Sequence, residues 1–201
     1  MLVGMTTHGY VSATTSVTGR AGWPGYAAAA WGFAFALPSF YWLAGGTAGV
    51  ATTVAPSLGE LLRDRVTWFI VVLGVTGFLK LVGGFLGLAL IRRWGRRVDR
   101  LLQLAGWGAG VLLVWHGGLF LVQGLLVQSG VVGIAPDLLP VSRWYTYLWG
   151  PWFVVGGLSF ILAARIHLRR MTDRRGGVAA GAIGGFGALG LSVAMLVAGI
   201  G

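Results

Sequence analysis

One stretch decides which solvent this chain folds in. Val66 to Ile91 reads VTWFIVVLGVTGFLKLVGGFLGLALI, with one Lys, Lys80, near its midpoint and with Arg92 and Arg93 directly after it. As a helix rising about 1.5 Å per residue, the run is about 39 Å long. About 20 apolar residues already cross a hydrocarbon core about 30 Å thick, so this run spans one with tilt to spare. An ionisable side chain in the middle of such a run is costly to bury, which makes Lys80 a candidate functional group.

The rest of the chain fits the same class. Only 10% of its residues are charged, against about 25% in an ordinary soluble domain, and its mean hydropathy is +0.81. Glycine reaches 36 residues without a collagen period; membrane helices tolerate it because small residues let backbones approach closely. With no Cys, a disulfide framework, a thiolate metal site and a cysteine nucleophile are all excluded. The net charge of +10 does not read as a nucleic-acid footprint. The basic residues sit in short patches beside apolar runs, where they set orientation and meet anionic lipid. Membrane lipid, other membrane subunits or a second copy are the expected partners, and nucleic acid is not.

Residues 1–23 are polar and uncharged before Arg20. They lack the basic start and apolar centre of a secretory signal and read as a mobile tail. Residues 24–200 read as one all-α transmembrane bundle of about five spans, near residues 24–43, 66–91, 101–127, 144–164 and 176–200. Pro38 is expected to kink the first span, and Gly45 and Gly46 to end it, although it could run on to Val54. Ser57 and Glu60 have capping-box spacing in a short surface helix. Gly150-Pro151 marks a bend in the fourth span. The loops RRWGRRVDR after Ile91 and Arg165–Arg175 hold five Arg each. Placing both in the cytoplasm, by the positive-inside bias, puts the N-terminus inside and the C-terminus outside a cytoplasmic membrane.

On this topology the outer face collects Tyr41, Trp42, Trp68, Trp144, Tyr145, Tyr147, Trp149 and Trp152. They form either an interfacial aromatic belt or a vestibule between spans one, two and four. Trp152 lies deeper than a belt residue should. Gly83/Gly87, Gly106/Gly110 and Gly181/Gly185 are each four apart, as in helix faces that pack closely.

Trp31, Phe35, Phe40-Tyr41-Trp42 and Gly45-Gly46-Thr47, then Lys80 and Trp94-Gly95-Arg96-Arg97, form a pattern over about residues 27–165. It resembles the DUF3995 family of small bacterial multi-pass membrane proteins of unknown function. The Trp expected shortly after Gly-Gly-Thr is replaced here by Ala48 and Gly49. The resemblance implies the membrane class and no activity, and it leaves the fifth span outside.

Lys80 lies about 16 Å, and His116 about 22 Å, from the basic ends of adjacent antiparallel helices. The two share one interior if their faces meet. No predicted span contains Asp or Glu. That removes a retinal-type Schiff base with a carboxylate counter-ion, carbocation chemistry on buried carboxylates and a carboxylate proton relay. With His8 and His167 outside the spans, a bis-histidine haem and a zinc site fail on ligand count. No catalytic set, metal site or cofactor is therefore assigned. Lys80 is left as an uncharged interior amine, a charge with a path to water, or the holder of an anionic head group or phosphate. The candidate ligand-binding residues are Lys80, His116, Ser39, Tyr41, Trp42, Trp149 and Trp152. Arg92, Arg93, Arg96, Arg97, Arg169 and Arg170 are the candidate lipid-headgroup contacts. The leading reading is a small lipophile-binding module or an accessory subunit of a membrane complex. The alternatives are a membrane enzyme acting on a lipid or isoprenoid through Lys80 and His116, and a small transporter working as an oligomer.

Overall fold

The computed structural model describes residues 22–198. Residues 1–21 of the expected tail, Arg20 among them, and the last residues of the fifth expected span lie outside them, while Trp23, expected in the tail, begins the first helix. Every regular element among the described residues is helical. Helix α1 is Trp23–Leu43, α2 is Val50–Thr53, α3 is Pro56–Arg63, α4 is Thr67–Ala89 and α5 is Arg96–Gln128. A 3₁₀ turn (Pro136–Leu138), α6 (Leu139–Trp144), a π-helical turn (Tyr145–Trp149) and α7 (Gly150–Arg170) follow end to end, and α8 is Arg174–Val197. Four segments are long and apolar enough to cross a membrane: Thr67–Ala89, Arg96–Gln128, Pro136–Arg170 and Arg174–Val197.

Helix α1 is not one of those four, although its 21 residues give it the length. Its Trp, Tyr, Pro and Ser residues lower its hydropathy, and the fold uses it differently. It packs along α4 on one side and α7 on the other; α7 then packs on α5, and α5 on α8. Glycine seams bring α1 onto α4 and α5 onto α7, and Gly184 likewise brings α8 onto the Leu104 backbone of α5. A Cβ on Gly32 would stand 2.6 Å from the backbone N of Gly84, and one on Gly87 2.6 Å from that of Ala29. Between α5 and α7, a Cβ on Gly117 would stand 2.6 Å from the carbonyl of Gly150, and one on Gly157 2.6 Å from that of Gly110. Gln103, Gly110, Gly117 and Gly124 are all buried on α5; a seven-residue spacing keeps one face on its partner along the helix. Gly106 and Gly110 are buried as a pair, whereas Gly84 rather than Gly83, and Gly184 rather than Gly185, take the buried positions on α4 and α8.

The core sits where α1, α4 and α7 meet. Trp31 donates its indole N–H to the Trp152 carbonyl at 2.8 Å, and its ring packs among Phe35, Trp152, Phe153 and Phe160. Gly156 lies flat against that ring, leaving no room for a Cβ.

Two sequence expectations change. Ser57 does not cap α3: Ala55 is the extended N-cap residue, Pro56 starts the helix, and no side chain caps it. Proline with φ preset near the helical value suits the first turn, which draws Ser57 inside the helix. Arg96–Arg100 and Arg165–Arg170 are helical and do not form loops, since α5 begins at Arg96 and α7 ends at Arg170. Arginine is a good helix former, and basic residues suit a helix C-terminus. At Gly150-Pro151, where a bend is expected, the chain makes a π turn. Gly150 N–H reaches back five residues to the Tyr145 carbonyl, a widened turn that accommodates the donor missing from Pro151.

Candidate functional site

Helix α4 approaches α1 closely at Gly77, where a Cβ would stand 3.1 Å from Cβ of Ser39. One turn further on, Lys80 Nζ donates to Ser39 Oγ at 2.8 Å. The ammonium also lies 3.8 Å from the ring centroid of Phe35, a cation–π distance. Ser39 is 1% exposed. Lys80 forms no ion pair with a carboxylate among the described residues.

Lys80 borders a cavity of about 190 Å³, whose wall includes Phe35, Trp42, Phe120, Tyr145 and Trp149. Thr53 and Val54, at the end of α2, also line it. The π turn brings Tyr145 and Trp149 to the wall, and Phe120 packs edge-on against Tyr145 with centroids 4.7 Å apart. The indole N–H of Trp149 is buried with no hydrogen-bond acceptor among the described residues. A buried donor of this kind is unfavourable until an acceptor reaches it. Protonated, the Lys80 amine has three N–H donors, and Ser39 and Phe35 engage only part of that capacity. The site therefore offers donors and aromatic faces, a surrounding suited to a ligand with an acceptor or anionic end and an apolar body.

The segment beyond α1 is tied down locally. Trp42 donates Nε1–H to the Ala48 carbonyl at 3.0 Å. Arg65 donates to the Leu43 carbonyl at 3.0 Å, satisfying a helix-end carbonyl. Gly45 and Gly49 have φ of +103° and +76°, where a side chain would be strained.

Of the residues singled out in the sequence, Lys80, Ser39, Trp42 and Trp149 come together here. Tyr41 is 49% exposed and its hydroxyl accepts from Ala48 N–H at 3.4 Å. Trp152 belongs to the core beside Trp31. His116 donates Nδ1–H to Leu112 of its own helix at 3.0 Å and shares no hydrogen bond with Lys80. Phe35, Phe120, Tyr145 and Phe153 were not singled out as ligand residues. Phe35 carried the clearest signal, because a position four residues before Ser39 shares its helix face.

The basic ends of four helices meet elsewhere. Asp173 accepts from Arg96 Nε at 3.2 Å and from Arg100 Nε at 2.6 Å, and it caps α8 by accepting from Gly176 N–H. Arg100 first, then the Gly176 N–H, with Arg96 adding, hold its carboxyl below the usual carboxylate range. Arg93 donates to Thr172 Oγ1 at 2.6 Å, and Arg170 to the Ile91 carbonyl at 3.2 Å. His167 is 1% exposed. It donates Nδ1–H to the Leu90 carbonyl at 3.0 Å, and its Nε2 faces Asp99 Oδ1 at 3.2 Å, outside hydrogen-bond geometry. Among the described residues, Arg92, Arg97, Arg165, Arg169, Arg174 and Arg175 make no ion pair or hydrogen bond within the chain. Of the arginines expected at headgroups, Arg93, Arg96 and Arg170 are thus engaged internally, and Arg92, Arg97 and Arg169 are not.

A family model described as a protein of unknown function, DUF3995, matches residues 32–160. The chain belongs to the DUF3995 family. The matched segment holds every residue that lines the Lys80 cavity. It stops within α7, leaving α8 and the arginines from Arg165 onward outside. No curated protein and no solved structure matches the chain.

Proposed function

We propose that this DUF3995 member is a five-span protein of the cytoplasmic membrane that binds a lipophilic molecule by its polar end at Lys80. The observation that carries the reading is the Lys80 ammonium, held by Ser39 and Phe35, at an aromatic cavity whose Trp149 N–H lacks an acceptor. Drug-sized pockets run to about 300–1,000 Å³. A cavity of about 190 Å³ therefore suits a head group better than a whole lipid, the ligand's tail lying between helices.

Helix α1 is the fifth span on this reading. Its 21 residues cover about 31 Å at about 1.5 Å each, which matches a hydrocarbon core. Contacts of Leu90, Arg93 and Arg100 with His167, Thr172 and Asp173 support a single basic end. The positive-inside bias turns that end, and with it the N-terminus, to the cytoplasm. The enzymatic alternative gains nothing from the geometry, because His116 and Lys80 do not meet at one reacting centre.

Mass spectrometry of organic extracts from the purified protein tests the reading, with wild type beside Lys80→Met. One amphipathic species enriched over bulk phospholipid and absent from the variant is the expected result. Identical extracts from two equally folded proteins would count against it.

A further inference from the structure

A second apolar site lies on the far side of the molecule, between α5, α7 and α8. It is a groove of about 340 Å³, with Trp107, Leu168, Val178, Gly181, Gly185 and Leu189 among its lining. Gly181 brings α8 against the Trp107 ring, where a Cβ would stand 2.7 Å away, and Gly185 leaves the groove open beside Val111. From Val178 to Leu189 the groove runs about 16 Å at about 1.5 Å per residue. That is one leaflet's share of a hydrocarbon core about 30 Å thick.

The charge at its end decides the occupant. Arg175, Val178, Ala182, Gly185 and Leu189 follow 3-4-3-4 spacing on α8, and Arg174 shares a face with Val178 and Gly181; such residues stack along one helix face. Both arginines are exposed and make no ion pair or hydrogen bond among the described residues. The nearby acid, Asp173, is already committed to Arg96 and Arg100. A second copy docked by the same face would bring these guanidinium groups against one another. We infer that the groove holds one acyl chain of an anionic phospholipid of the basic-side leaflet, its phosphate resting on Arg174 and Arg175. This rests on the membrane reading above, and not on the Lys80 ligand.

Trp107 reports on the groove directly. The full protein is placed in phosphatidylcholine vesicles containing a minor share of chain-brominated phosphatidylglycerol, or the same share of chain-brominated phosphatidylcholine. The fluorescence that Trp107→Phe removes is the signal. Its quenching should favour the brominated phosphatidylglycerol by about fivefold or more, the order expected of one arginine at an anionic surface. The preference should vanish in Arg174→Gln/Arg175→Gln, and Gly185→Leu, which fills the groove, should abolish quenching by both lipids. Equal quenching by both lipids in wild type would reduce the site to ordinary surrounding lipid and overturn the inference. So would an unquenched Trp107 beside quenched remaining tryptophans, which would mean that protein covers the groove. If no tryptophan were quenched, the membrane reading itself would fail.

Discussion

The Lys80 cavity and the α8 groove solve opposite problems. The cavity lies within the family segment and combines one cation with aromatic residues drawn from several helices. The groove lies largely on α8, beyond that segment, and is wholly apolar, with its charges confined to one end. A charge in the interior has to be held by specific neighbours, because its solvation is lost. A charge at a helix end keeps its water and can be added without rebuilding the core. The contrast is between a polar group that named neighbours must hold in the interior and charges that stay at the end of a helix.

The comparison breaks first at glycine. Gly32→Leu should abolish the folded monomer, since even a Cβ there meets the Gly84 backbone. Gly185→Leu, in ordinary contact range of Val111, should cost no more than about 1 kcal/mol. Size-exclusion profiles and unfolding curves in detergent measure both, and equal damage would erase the distinction between the two regions. Next in size, Trp31→Ala removes the ring at the centre of the core and should lower stability by about 3–5 kcal/mol. Trp107→Ala, at the edge of the groove, should cost clearly less in the same denaturant titration.

Ser39→Ala sharpens the account of the cavity. It removes a hydrogen bond to a charged group, of the class that contributes about 1.5–3 kcal/mol. Ligand recovered per protein should fall, though less than in Lys80→Met, because the Phe35 face remains. The smallest effect lies at the basic end. The folded-state value of Asp173 is depressed, so its contribution is complete above the ordinary carboxylate value near about 3.9. It is lost as pH falls through the lower folded value. Thermal melting should therefore show an acid-side loss of stability that is reduced in Asp173→Asn, with no difference in its slope between pH 6 and 8.

Much of the helical plan was legible because run length and arginine placement are local properties of the chain. The apolar runs carry four long helices, and the basic patches mark their ends. The reach of α5 and α7 through their arginines was not legible, since hydropathy stops at the first charge whereas helix propensity does not. The central place of α1 was hidden for a related reason: Trp31, Ser39 and Trp42, which lower its hydropathy, are what it uses to pack and bond inside the bundle. At the site, Lys80 stood out as a charge in an apolar run, and Ser39, Trp42 and Trp149 were within reach of depth arguments. Phe120, Tyr145 and Phe153 depend on which faces of α5 and α7 turn inward, and on the widened turn before Pro151. His116, at a similar depth to Lys80, settles on its own helix, because depth alone does not fix the direction a side chain takes.

Native mass spectrometry of the intact protein, released from mild detergent, reads out whether Lys80 holds a ligand. Wild type should carry a small adduct of defined mass that Lys80→Met loses and Arg174→Gln/Arg175→Gln keeps. An adduct that survives Lys80→Met, or none in wild type, would contradict a ligand held at Lys80.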